Sequence, residues 1–304
     1  MSKKIPILVL AFNRADHVAE AMKAIREYKP ERLYLECDGA RAHKQGENEA
    51  VEATRKAMLD VVDWPCEVKT LFRDENLGCA NAVYGAITWF FEQEEWGVII
   101  EDDIVVSLDF FKLCEILLPY YAKDDRIMHI SSENYSRKYT ISSSYTFNKQ
   151  MYCWGWATRK RAWEKMDMNM AQWPSFRILS LIKYEGIMGC ISHWLYWKKT
   201  YANLQNSSSW ATRWSFTIFS NKDYICIVPQ VNLSKNIGIT TGGTHYSKNQ
   251  VDPYKNLKVG KFVFPIQHPN RIKLDRKQLF YDFRENYRLK WYGVIKRIQR
   301  LIMH

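Results

Sequence analysis

No stretch of this chain approaches the ~20 consecutive apolar residues that a membrane-crossing helix needs, so no span is predicted. The opening MSKKIPILVLAFNRADH holds only a short apolar run. Asn13, Arg14 and Asp16 follow it at once, and no small-residue cleavage site is present. The segment therefore does not read as a secretory leader, and a cytoplasmic protein is expected. Cysteine motifs are missing as well. The 7 Cys stand at 37, 66, 79, 114, 153, 190 and 226, an odd number with scattered spacing and no C-x-x-C. That pattern argues against a zinc site and for reduced, mostly buried thiols. Glycine is absent where a phosphate loop would need it. LAFNRADH, after the first apolar run, contains none, and no G-x-x-x-x-G-K-[ST] occurs. A P-loop enzyme is excluded, and a nucleotidyltransferase with a Gly-rich loop after its first strand is disfavoured. A G-x-S-x-G hydrolase finds no motif either.

What is present is a long, aromatic, basic chain. Its 304 residues suffice for one large α/β domain with an appendage, or two small domains. Apolar residues make up 47% of it, enough for a substantial core. Its 12 Trp and 18 Tyr suit both core packing and stacking on sugar rings. The formal net charge of +11 favours anionic partners. Lys and Arg crowd residues 254–304, while the first 130 residues are mixed in sign.

The apolar pattern alternates between strands and helices. IPILVLAF (5–12) reads as a buried parallel strand, and 16–28 shows helical spacing through Val18, Met22 and Ile25. RLYLEC (32–37) is a second strand, 47–62 a helix, CEVKTLF (66–72) a third strand, 79–93 a helix and WGVII (96–100) a fourth strand. A helix over 109–122 and strands over 127–131 and 223–230 follow. Residues 151–166 are predicted to turn into a helix at Thr158, with a Trp-rich helical region to about 220. This βαβ spacing predicts an open, mainly parallel α/β sheet with helices on both faces. Ligands of such sheets bind outside the carboxyl ends of the strands. Four polar clusters fall there: Asn13-Arg14, Asp38-Gly39, Arg73 to Gly78, and Glu101 to Asp103.

The last of these is an acidic triplet that follows a buried strand directly. Carboxylates so placed can hold a hard divalent ion through oxygen, and a diphosphate can supply further ligands. Here IIEDDIVVSLDFF resembles the metal-binding segment of GT-A fold glycosyltransferases. It is most similar to N-acetylglucosaminyltransferase I and a group of bacterial glycosyltransferases. HISSENY (129–135), WGWATRKRAW (154–163), SSWATRWSF (208–216) and NLSKNIGITTGGTH (232–245) extend the resemblance over most of residues 5–246.

The resemblance implies a Rossmann-like GT-A domain over 1–250. Its nucleotide-sugar half is about 1–110 and its acceptor half about 111–250, with a basic extension over 251–304. It implies a metal-dependent hexosyl- or N-acetylhexosaminyltransferase that uses a UDP-sugar and inverts configuration. The acceptor would be a glycan or lipid-linked glycan of a bacterial surface polysaccharide such as lipopolysaccharide. Position by position, Asp103 would be the principal ligand of Mn²⁺ or Mg²⁺, with His245 reaching metal or diphosphate. Glu101 and Asp102 would hold the ribose or order the site. Asn13, Arg14 and Asp38 would surround the base, and Arg73, Asn76 and Gly78 would line the nucleotide.

One departure stands out. The family's catalytic Asp, which follows a Trp, is matched by Ser208-Ser209-Trp210-Ala211-Thr212, and neither Ala211 nor Thr212 can take a proton. Either another acid such as Glu133 or Asp167 supplies the base, or the enzyme retains configuration, or the chain is weakened and mainly binds. Glu133 is preferred because it follows the strand IMHIS. Trp154 and Trp156 flank Gly155, and with Trp210 they are candidates to stack on the acceptor.

The C-terminal stretch 287–302 places Tyr287, Trp291, Val294, Ile295, Ile298, Leu301 and Ile302 on one face and Arg288, Lys290, Lys296, Arg297 and Arg300 elsewhere. Such a basic amphipathic helix suits an anionic membrane surface, a dock on its own domain, or a dimer contact. A different class of function is a non-catalytic membrane or nucleic-acid binder acting through that tail. It leaves the strand-end acids unexplained, and a nucleic-acid partner is disfavoured.

Overall fold

The computed structural model describes residues 4–136, 138–205, 209–238, 254, 257–283 and 285. The elements run β1 (Ile7–Ala11), α1 (Ala15–Tyr28), β2 (Arg32–Cys37), α2 (Glu47–Asp60), β3 (Glu67–Phe72), α3 (Cys79–Phe91) and β4 (Trp96–Glu101). Then come β5 (Ile104–Val106), α4 (Leu108–Tyr120), β6 (Ile127–Ser131), β7 (Tyr145–Asn148), β8 (Trp156–Arg159) and α5 (Lys160–Trp163). The series closes with α6 (Ile182–Ala202), α7 (Trp210–Ser220), β9 (Ile225–Pro229) and β10 (Ser234–Asn236).

Eight strands form one mixed sheet in the order β3-β2-β1-β4-β8-β6-β9-β7. Pairings β3–β2, β2–β1, β1–β4 and β6–β9 are parallel, while β8 and β7 run against their neighbours. Most strands therefore point one way, with helices on both faces, as in a Rossmann-like fold.

The first strand shows why. Every residue of β1 is buried. Ile7, Val9 and Ala11 join a core shared with Val18, Met22 and Ile25 of α1. Leu8 and Leu10 join the opposite core, with Ile87 and Phe90 of α3. A strand covered on both faces has no solvent side, so its sequence is one unbroken apolar run. Each such buried aliphatic side chain stabilises by roughly 1.5–3 kcal/mol over leaving it in water.

The second half departs from the sequence pattern. The predicted helix from Thr158 is instead the strand β8, followed by only four helical residues. Trp156 to Arg159 are all buried, and β8 pairs with β4 on one side and β6 on the other. Two ladders and full burial outweigh local helical spacing. β5, β7 and β10 carry no sequence signal of their own, being three or four residues long. In the Trp-rich region, α6 bends at Gly186 (φ 70°), a left-handed backbone that favours glycine. Residues 257–283 lie against the same body: Phe262 joins the β1–α1 core, and its N–H donates to Asp109. The stretch 287–302 lies outside the described residues.

Candidate active site

In chain order β1, β2 and β3 step outward on one side, and β4 then returns to the other side of β1. The gap between the carboxyl ends of β1 and β4 is thus a topological switch point, where crossovers leave in opposite directions and open a crevice. Arg14 follows β1 and the acids Asp102 and Asp103 follow β4. The structure brings the three together. Arg14 Nε donates to Asp102 Oδ2 at 3.3 Å and Nη1 to Asp103 Oδ2 at 3.1 Å, while Nη2 pairs with Asp102 Oδ1.

Electrostatics follow from this packing. Burial works against the Arg14 charge, but Asp102 and Asp103 outweigh it and hold the guanidinium above its ordinary value. Burial, opposed by Arg14, pushes Asp102 up to about 6. Burial, reinforced by Asp103 and Asp102, pushes Glu101 up to about 8. One atom is left over. Among the described residues, nothing hydrogen-bonds Asp103 Oδ1, which is buried.

A distant segment closes over this carboxylate. β10 pairs antiparallel with β5, and the Ile237 N–H donates to the Asp103 carbonyl at 2.9 Å. Gly238 faces Asp103 so closely that a Cβ there would overlap Oδ2, and it would lie 3.0 Å from Arg14 Nη1. The NIG segment noted in the sequence therefore reaches the acids, although more than a hundred residues separate them. His245 lies outside the described residues.

The other strand ends hold their loops in place. Asp38 is buried and accepts from the N–H groups of Gly39, Leu77 and Gly78 at 3.0, 3.0 and 3.1 Å. Asn76 donates to the Gly39 carbonyl at 2.8 Å. These bonds tie the β2 end to the β3–α3 loop, whose last residue Gly78 (φ 75°) precedes α3. Asp38 and Asn76 sit at the predicted edge, but their observed work is to shape that loop. Asn13 donates to Glu47 at 3.1 Å, and Glu47 also accepts from the Arg41 N–H and Nε. The Arg41–Glu47 pair was not anticipated: Glu47 reads in the sequence as an ordinary first-turn helix acid. Arg73 turns inward. Its guanidinium pairs with Glu36, which is 2% exposed.

Beyond β4, β8 runs antiparallel to it, which brings the start of β8 to the same edge as Asp103. Glu133 is at this edge too. It is 1% exposed, accepts from the Trp154 N–H at 2.6 Å and from the Tyr135 hydroxyl, and is no solvent-facing loop acid. Burial pushes it up to about 8 against the pull of both donors. Gly155 (φ 80°) is required here, because a Cβ would overlap Val106 of β5.

The aromatic candidates divide. Trp154 is partly exposed and meets Tyr135 and Tyr254 edge-on. Trp156 is 0% and Trp210 3% exposed, and they stack on one another at 5.5 Å. Both are core residues beside Trp163 and Trp214 and have no face for an acceptor. Asp167 is displaced as well. Its carboxylate accepts from the Asn169 and Ala171 N–H groups, closing a turn, and its own N–H donates to Thr217. It borders a cavity with Asn221 and Tyr224, which precede β9, so it lies at the opposite edge of the sheet.

No family model matches the chain, and no curated protein matches it. Solved structures with a related layout include HddC from Yersinia pseudotuberculosis, 12% identical over 52% of this chain and 77% of that one, with a TM-score of 0.32. 4-Diphosphocytidyl-2C-methyl-D-erythritol synthase from Anaerococcus prevotii is 8% identical over 73% and 85%, with a TM-score of 0.37. The glycosyltransferase GlyE of Streptococcus pneumoniae is 10% identical over 73% and 54%, with a TM-score of 0.30. Scores this low carry no residue role and no activity across to this chain.

Proposed function

We propose that this protein is a glycosyltransferase that moves a sugar from a nucleoside diphosphate, UDP in the first instance, to a hydroxyl of a glycan or lipid-linked glycan. The supporting observation is the switch-point cluster of Arg14, Asp102 and Asp103, with one buried carboxylate oxygen left without a partner. A buried carboxylate oxygen without a partner leaves a place for a ligand, ion or water.

Mn²⁺ or Mg²⁺ fits that atom in chemistry, being a hard cation that takes oxygen ligands. Among the described residues no group of three or more His, Cys, Asp or Glu forms a cage for one. Such ions are often bound by one or two carboxylates plus substrate phosphates, so Asp103 with the donor diphosphate suffices in principle. Bound there, the ion would offset charge on the departing diphosphate. Arg14 stands beside it and supplies fixed positive charge to the same crevice.

The acceptor oxygen bonds to the anomeric carbon as the bond from that carbon to the diphosphate breaks, and the nucleotide leaves with the electron pair. Glu133 has both carboxylate oxygens engaged, by the Trp154 N–H and the Tyr135 hydroxyl, so we assign it to holding this turn and assign acceptor contact to the partly exposed Trp154. Inversion of configuration and a bacterial surface polysaccharide as product belong to the same proposal.

A second reading rests on Arg14 alone: the guanidinium balances both acids, and nucleotide binds without metal. Calorimetric titration with UDP, with and without Mn²⁺ and beside GDP and CDP, separates the two. Binding only with metal, lost in Asp103→Ala, supports the metal site. Equal binding without metal favours Arg14. No binding of any nucleotide defeats the transferase proposal.

A further inference from the structure

α6 is apolar on two opposite sides. One side, with Cys190 and Trp197, packs against Phe216 and Phe219 of α7. The other carries Ile187, Met188, Ile191, Trp194 and Leu195, between 38% and 65% exposed. Their three- and four-residue spacing lines them along one stripe beyond the bend at Gly186. Leu179 and Ile182, 70% and 41% exposed, extend it at the near end. Single exposed apolar residues are ordinary; a contiguous stripe on one helix marks a contact surface. A helix apolar all round is normally buried all round.

The charge beside the stripe has one sign. Across residues 171–205 the basic side chains are Arg177, Lys183, Lys198 and Lys199, and all four are exposed. The single acid there, Glu185, is buried and paired with His193 at 2.6 Å. Lys198 Nζ lies 4.5 Å from the Trp194 ring centroid, so its stem follows the stripe while its head stays at the rim.

We propose that this face of α6 lies on an anionic lipid surface, with the stripe entering the headgroup boundary and the lysines meeting lipid phosphates. Residues 187–202 would extend only about 24 Å along a helix, short of the ~30 Å hydrocarbon core, so the helix lies in the plane. Among the described residues no helix is long and apolar enough to cross a membrane. Charge selects the occupant. Residues 286–304 contain Arg288, Lys290, Lys296, Arg297 and Arg300 and no acid. That segment, or a second copy of this face, would bring positive charge against positive charge. An anionic bilayer brings the opposite sign and accommodates the stripe. The proposal does not rest on the sugar-transfer reading.

The test is co-sedimentation of the full chain with vesicles of phosphatidylcholine alone, and with vesicles in which phosphatidylglycerol replaces about a quarter of it. Salt-sensitive binding to the second kind only is expected. Ile191→Glu with Leu195→Glu should weaken it at least ~tenfold, and Lys198→Ala with Lys199→Ala by about tenfold. All four positions are exposed, so an unchanged urea midpoint should show that the variants fold. Three results overturn the proposal. The wild type does not bind the anionic vesicles. The α6 variants bind as well as wild type while Arg297→Ala with Arg300→Ala does not. Or sedimentation equilibrium without vesicles finds a dimer that Ile191→Glu dissociates, making a second copy the occupant.

Discussion

The two halves of the sheet end their strands in opposite ways. β1 and β4 end in Arg14, Asp102 and Asp103, charged groups that pair with one another at a crevice. β6 and the start of β8 end in Glu133, Trp154, Gly155 and Trp156, where the acid is sealed under a backbone N–H and a tyrosine hydroxyl. The first arrangement keeps charge available for a ligand. The second uses polar groups to hold a turn in place. Similar residue types at one sheet edge thus do different work, and burial decides which.

The comparison can be broken most sharply at the tryptophans. Trp156→Ala should cost about 3–5 kcal/mol, read from urea unfolding, because a fully buried ring leaves a cavity. Trp154→Ala, at the same turn but partly exposed, should cost under ~1 kcal/mol and show its effect in acceptor KM. Comparable stability losses for the two would erase the distinction between core and acceptor face.

Arg14→Leu is the next largest. It leaves Asp102 and Asp103 facing each other without a counter-charge and should destabilise by roughly 1–3 kcal/mol. Mn²⁺ should then raise the unfolding temperature of the variant more than that of the wild type. If the ion helps neither protein, the orphaned Asp103 oxygen is not a metal ligand.

Glu133 sharpens the contrast through pH. Its ordinary value is 4.5 and burial raises it to about 8, so the folded state holds its proton more tightly. Its contribution to stability is complete below about pH 4.5 and is lost as pH rises through 8. Glu101 and Asp102 slope the same way, so the informative quantity is wild type minus Glu133→Gln. Linkage from 4.5 to about 8 makes that difference change by up to roughly 5 kcal/mol over this range, and a flat difference would place Glu133 in contact with water.

Asp103→Asn should have the smallest effect on folding, under about 1 kcal/mol, since the Gly238 approach and the backbone bond to Ile237 remain. It should nonetheless weaken metal-dependent UDP binding at least ~tenfold. A large stability loss with nucleotide binding intact would reverse the roles assigned to the two strand-end groups.

Legibility followed the same division. β1 to β4 were visible because each is short, apolar and bounded by polar turns, and the crevice residues Arg14, Asp102 and Asp103 lie one to three positions beyond a strand. β8 was misread as helix because WATRKRAW has no alternation once both faces are covered. Sequence position does not reveal that Arg73 pairs with Glu36 or that Trp210 stacks on the Trp156 ring. Asp167 was placed by its type, and the topology puts it at the far edge.

The α/β class, a mainly parallel sheet and the acids that end β4 are legible in the residues alone. These follow from short-range rules: burial sets hydrophobic period, and strand ends must turn. Which of these polar groups pair with one another is settled in three dimensions. That depends on partners far apart in the chain, Arg14 with Asp103, Glu133 with Trp154, Gly238 with Asp103, and on the desolvation each suffers when the sheet closes around it.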